Sequence, residues 1–168
     1  MIWRPVRIRL TAPSNALEEP ARRENVTFDS GALETIIRIT QGYPYFLQEW
    51  GYTTWNIAEQ SPITLETVLT SNSTAIERLD ESFFRVRFDR LTPREKDYLR
   101  AMAELGTGPH RSGDIAEVLG VAVRSVAPLR NGLIKKGMIY SPAHGDTAFT
   151  VPLFDEFMKR TVPEFQVQ

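Results

Sequence analysis

Arg124, Asn131 and Lys135 recur seven and four residues apart, a spacing that places them on one face of an α-helix. Together they carry the two side-chain chemistries that suit duplex DNA. A guanidinium or ammonium neutralises phosphate or donates to guanine, and a carboxamide pairs with adenine. On a wheel of 100° per residue Val126, Leu129, Leu133 and Ala122 turn inward, while Arg124, Pro128, Asn131 and Lys135 turn outward. Ser125 on the same helix, Lys136 closing it, Arg111 upstream and His144 in "PAHGD" complete the candidate DNA-binding set.

Other chemistry is poorly supplied. The chain has no cysteine, which excludes disulfides, thiolate metal sites and cysteine nucleophiles. Its only two histidines, His110 and His144, are read as lying in loops with no carboxylate at ligand spacing. Glu18-Glu19 and Asp80-Glu81 read as helix-surface charges. No catalytic residue, metal or resident cofactor is expected. No apolar run approaches the roughly 18 residues that span a bilayer, and "MIWRPVRIRL" lacks the apolar centre of a signal peptide, so a soluble cytoplasmic protein without a membrane partner is expected.

The elements that must position the candidate set lie in the second half. "LTPREK" places Thr92 at an N-cap, Pro93 at the first helical position and Glu95 three residues after the cap, the pattern of a capping box. Leu99, Met102, Ala103 and Leu105 then face a core. A short helix capped by Ser112, a turn at Gly120, a longer helix stopped by Gly137 and two extended runs joined by "PAHGD" follow. This order resembles a winged helix-turn-helix domain with a β-hairpin wing, and "IAEVLGV" followed by "LIKKGMI" is similar to that family's pattern. Pro128 and Gly132 inside the longer helix predict a kink, since an interior proline costs about 3 kcal/mol and a glycine about 1.

The first half reads as a short edge strand over Val6–Leu10 followed by helices. Pro20 is expected to kink the first helix. Asp29 or Ser30 caps the second, and Gly42 ends it. Pro44 opens a third helix with an apolar face of Phe46, Leu47, Trp50 and Trp55, and Thr64 caps a fourth. Through residue 84 there are 7 Lys+Arg against 11 Asp+Glu, and from residue 85 there are 13 against 10, so the second half is mildly basic within a chain of net charge -1. The expected fold class is mainly α, with a helical lid-like domain over 1–84 and a winged-helix domain over 85–168.

"TQGYPYFLQEWG" within this helical half resembles the lid that follows the nucleotide-binding core of AAA+ and signal-transduction ATPases. In those families a Gly-x-Pro at the start of a lid helix lies near the bound adenine, which implies Gly42, Tyr43, Pro44 and Tyr45 as nucleotide-proximal positions. A lid followed by a winged helix is the C-terminal order of archaeal initiator ATPases and of a large group of prokaryotic ATP-binding proteins. Tyr45 stands where sensor-type lids often carry an arginine. No G-x-x-x-x-G-K-[S/T] motif occurs, so ATP and Mg²⁺ are expected only with a core supplied from elsewhere. The expectation is a non-catalytic module contacting duplex DNA, with an AAA+ core or a second copy as further partners; the alternative is a protein-interaction module without DNA binding.

Overall fold

The computed structural model describes residues 13–165, so the strand expected over Val6–Leu10 lies outside the described residues. The fold is mainly helical with one small antiparallel sheet, an arrangement compatible with a helical bundle followed by a winged helix. The chain divides into two compact units between Phe83 and Phe84.

In the first unit, α1 is Asn15–Arg23, α2 Ser30–Thr40, α3 Pro44–Ile57 and α4 Leu65–Leu79. Asp29 holds two helix starts with one carboxylate. Its Oδ1 accepts from the Ala32 amide at 2.6 Å and its Oδ2 from the Leu65 amide at 3.2 Å. Helix α2 stops where Gln41 and Gly42 both turn left-handed, at φ 51 and φ 69. A side chain on Gly42 would also place its Cβ a tight 3.3 Å from Pro13 Cγ, so the backbone conformation and the space both favour glycine there. Phe46, Leu47 and Trp50 bury the inner face of α3 against α4, whose Val68, Ala75 and Leu79 are fully buried. Each such large side chain contributes about 1.5–3 kcal/mol on leaving water. Trp50 donates its indole N–H to Asn72 Oδ1 at 3.2 Å, and the buried hydroxyls of Thr54 and Ser71 pair at 3.1 Å. Helix α1 contains the buried Pro20 and continues three residues beyond it.

A π-helical turn, Asp80–Phe84, follows α4 and leads to α5, Arg85–Phe88. The second unit continues with α6 (Pro93–Leu105), β1 (His110–Arg111), α7 (Ser112–Val118), α8 (Val123–Lys135), β2 (Ile139–Tyr140), β3 (Asp146–Phe149) and α9 (Phe154–Thr161). The sheet order is β1-β3-β2, with β3 antiparallel to both neighbours. Tyr98, Leu99 and Met102 of α6, Ile115 of α7, Val126 and Leu133 of α8 and Phe154, Phe157 and Met158 of α9 form the core.

Four expectations in this unit require correction. Leu105 is exposed: it is the last residue of α6 and lies off the face on which Met102 and Ala103 are buried. Ala122 is exposed because it is the N-cap of α8 and precedes the helical wheel on which it was placed. Ser112 is the first residue of α7 rather than its cap. Arg111 holds the cap position, and no side chain closes it. His110 opens strand β1 opposite Thr147 instead of lying in a loop, and its Nε2 is 2.9 Å from the Gly106 carbonyl.

Candidate nucleic-acid interface

Helix α8 runs from Val123 to Lys135 through Pro128 without interruption. Proline lacks the N–H that would bond the Arg124 carbonyl, and both residues are exposed, so the missing bond falls on the solvent side of the helix. Gly132 has a structural reason. A Cβ there would sit 3.2 Å from Glu95 Oε1, so the missing side chain lets α8 approach α6 over a buried carboxylate. Glu95 closes the capping box of α6, accepting from the Thr92 amide at 2.7 Å, and receives Lys136 Nζ at 2.6 Å on the same oxygen. Desolvation alone would raise the Glu95 pKa. The Lys136 ammonium and the Thr92 hydrogen bonds outweigh it and hold the carboxyl below the usual carboxylate range.

The β2–β3 hairpin is fastened to α8 by Arg130. Its Nε donates to Thr147 Oγ1 at 3.0 Å and its Nη2 to the Asp146 carbonyl at 3.1 Å. Thr147 is fully buried beside Tyr98 of α6. Burial pushes the Tyr98 phenol up, against a smaller opposing pull from the Thr147 hydroxyl. Helix and hairpin are thereby held together by the two part-buried hydrogen bonds of Arg130.

Between them lies an open cleft of about 480 Å³. Arg124, Ala127 and Asn131 of α8 form one wall, and Ser141, His144 and Gly145 of the hairpin form the other. Arg124, Asn131 and His144 are thus brought together as donors around one concavity. Arg111 lies beside the hairpin base, its Nε 4.0 Å from Asp146 Oδ1. Its side chain is 83% exposed, so solvent screens that pair and leaves the guanidinium accessible. Lys135 is exposed at the end of α8.

Two members of the set are placed elsewhere. Ser125 lines a separate pocket with Arg94, Asp97 and Glu164. Lys136 is committed to Glu95 and to the Arg90 carbonyl. Arg130 and Thr147 had not been singled out in the sequence. The usable signal was position: Arg130 falls four residues after Val126 and three before Leu133, near the inner face, where a cation must find partners.

At the corner before α3, Tyr43 is the N-cap and Pro44 the first helical residue. The Tyr43 ring lies 4.7 Å from Phe46 and 6.0 Å from Phe83, while Tyr45 lies 4.9 Å from Phe83 and is exposed. The corner is an aromatic cluster with one outward tyrosine. Among the described residues no group of three or more His, Asp or Glu is placed to hold a metal ion, and no helix is long and apolar enough to cross a membrane.

Residues 81–158, just under half of the chain, match the family model described as Domain of unknown function (DUF8462). No curated protein matches the chain at a significant level. Among solved structures, the chain is similar to the Thermotoga maritima RuvB Holliday junction branch migration motor at 17% identity, covering 92% of this chain and 50% of that one with a TM-score of 0.35. It is also similar to the P216G mutant of Thermotoga maritima RuvB at 17% identity, covering 81% and 44% with a TM-score of 0.37. The chain spans about half the length of these proteins or less, and at these scores the likeness carries no weight for fold or function.

Proposed function

We propose that the chain is a non-catalytic module of an AAA+-type ATP-binding protein, a helical lid joined to a winged helix that contacts duplex DNA through the cleft between α8 and the β2–β3 hairpin. The observation that carries the DNA contact is the convergence of Arg124, Asn131 and His144 on that cleft, none of them bound to another side chain among the described residues. Arg111 and Lys135 extend the cationic surface to either side. The AAA+ relation is supported by the resemblance of the Gly42-Tyr43-Pro44 corner and by the order of the two units. Phosphate chemistry belongs to a core that these 168 residues do not contain, and the setting is the cytoplasm.

With few cations and a single carboxamide facing the cleft, binding is weak and largely indifferent to sequence. Fluorescence anisotropy with several unrelated duplexes tests this. Three or four phosphate contacts give a slope of log affinity against log salt of roughly -3 to -4, similar for every duplex. A strong preference for one sequence would contradict the reading.

A second reading is favoured by the entrance to the same helix. Val121 is 45% exposed and Val123 54% exposed, an apolar rim suited to a protein partner. A protein-interaction module of this kind would show no duplex binding even at low salt.

A further inference from the structure

A second cleft of the same unit, about 510 Å³ in volume, is lined by Arg87, Arg90, Lys136 and Gly137, with Val86 and Met138. Lys136 is held in place. Its ammonium has three donors, of which one goes to Glu95 Oε2 at 2.6 Å and one to the Arg90 carbonyl at 3.0 Å. The third donor has no partner among the described residues, and the side chain remains 37% exposed, whereas Glu95 beneath it is 8% exposed. The Arg90 guanidinium makes no hydrogen bond or ion pair among the described residues. Lys136 and Arg90 set against the one buried carboxylate of Glu95 leave this group net positive.

We infer that this cleft is a second phosphate-binding site, in which the fixed Lys136 ammonium and the free Arg90 guanidinium receive one phosphoryl group. Two features make the site effective. The lysine is already immobilised by Glu95, so a phosphate does not carry the entropy of ordering that long side chain. The arginine is exposed and fork-shaped, and can present two parallel N–H donors to two phosphate oxygens. The C-terminal dipole of α8 opposes an anion here, and Lys135 in the last turn offsets it.

The position suits a duplex already seated on α8. From Arg124 to Lys136 the chain rises about 18 Å along the helix axis. A duplex offers a phosphate on each strand about every 3.4 Å. In this reading the second site receives a backbone phosphate at the far end of α8 from Arg124. This contact rests on the duplex reading of α8; a free phosphate or pyrophosphate is the other source of the same chemistry, and the two are separable.

The test uses the full chain with either a 20-base-pair duplex or inorganic pyrophosphate, following the Gly137 amide and the Arg90 Nε–H by nuclear magnetic resonance. Both probes should shift both signals. Arg90→Gln should lower duplex affinity about five-fold at 0.15 M salt and reduce the salt slope by about 0.9, the effect of one lost phosphate contact. Its melting temperature should match the parent, since the guanidinium has no partner to lose. If Arg90→Gln binds duplex with the parent's affinity and slope, the inferred site is wrong, while the α8 cleft stands if Arg124→Gln still weakens binding. If the parent binds no duplex but pyrophosphate shifts Gly137 and Arg90 saturably and Arg90→Gln abolishes the shift, the phosphate site stands and the duplex reading falls. Silence of both signals with both probes overturns the site.

Discussion

Glu95 does three things with one carboxylate: it caps α6, neutralises Lys136 and occupies the space that Gly132 leaves open. The first was legible, because Thr-Pro-x-Glu specifies a capping box locally. The other two were not, since they join residues about forty positions apart and no periodicity encodes such a pair. Gly132 consequently read as a weakness of the helix, whereas it also leaves room for the Glu95 carboxylate. The pair makes stability depend on pH. The folded carboxyl lies below its ordinary range, so the stabilisation is present above the unfolded glutamate value of about 4.3 and is lost as pH falls through the folded value. Glu95→Gln should lower stability by about 2 kcal/mol at pH 7, a figure kept modest because Lys136 is partly solvated. Urea unfolding between pH 7 and pH 3 should show the variant's stability varying less with pH than the parent's. Equal acid sensitivity would remove Glu95 from this role.

At the scale of elements, helix faces were legible where packing is regular and failed at helix ends. Val126 and Leu133 are buried and Arg124, Asn131 and Lys135 exposed, as the wheel requires. Ala122 and Leu105 failed because a wheel assumes that the helix and its neighbour both continue, and at those residues one or the other has stopped. Strand β1 escaped notice because two residues, His110 and Arg111, are too short to show alternation, and only pairing with β3 defines them. The fastening of hairpin to helix was hidden for a different reason. Arg130 looks like one more surface cation until Thr147 is seen beside it. Pro128 offers a test of how α8 is maintained. The helix continues past it, so tertiary contacts at Val126 and Leu133 outweigh its local penalty. Pro128→Ala should therefore raise stability by about 1–3 kcal/mol, measured by thermal or urea unfolding. A loss of stability would mean that the proline sets a backbone geometry the helix needs.

For the molecule as a whole, the two units carry opposite charge balances and different chemistry, an aromatic corner in one and a cationic cleft in the other. The corner supplies tyrosines for stacking and no amide nest, lysine or paired acids for phosphates. Calorimetry with ATP and Mg²⁺ on the full chain should accordingly show no binding in the micromolar range, and a micromolar dissociation constant would mean that the chain holds a nucleotide site of its own. The most direct test of the central claim is the salt dependence of duplex binding by the parent and by a variant carrying both Arg124→Ala and Lys135→Ala. Both side chains are exposed and make no hydrogen bond or ion pair among the described residues, so helical content and melting temperature should stay close to the parent. Affinity should fall for all duplexes alike, and the slope of log affinity against log salt should flatten by nearly 2 from the parent's roughly -3 to -4. If the variant binds as tightly as the parent at low salt, or the parent binds no duplex at all, the nucleic-acid reading is contradicted and the exposed apolar entrance to α8 becomes the better guide to function.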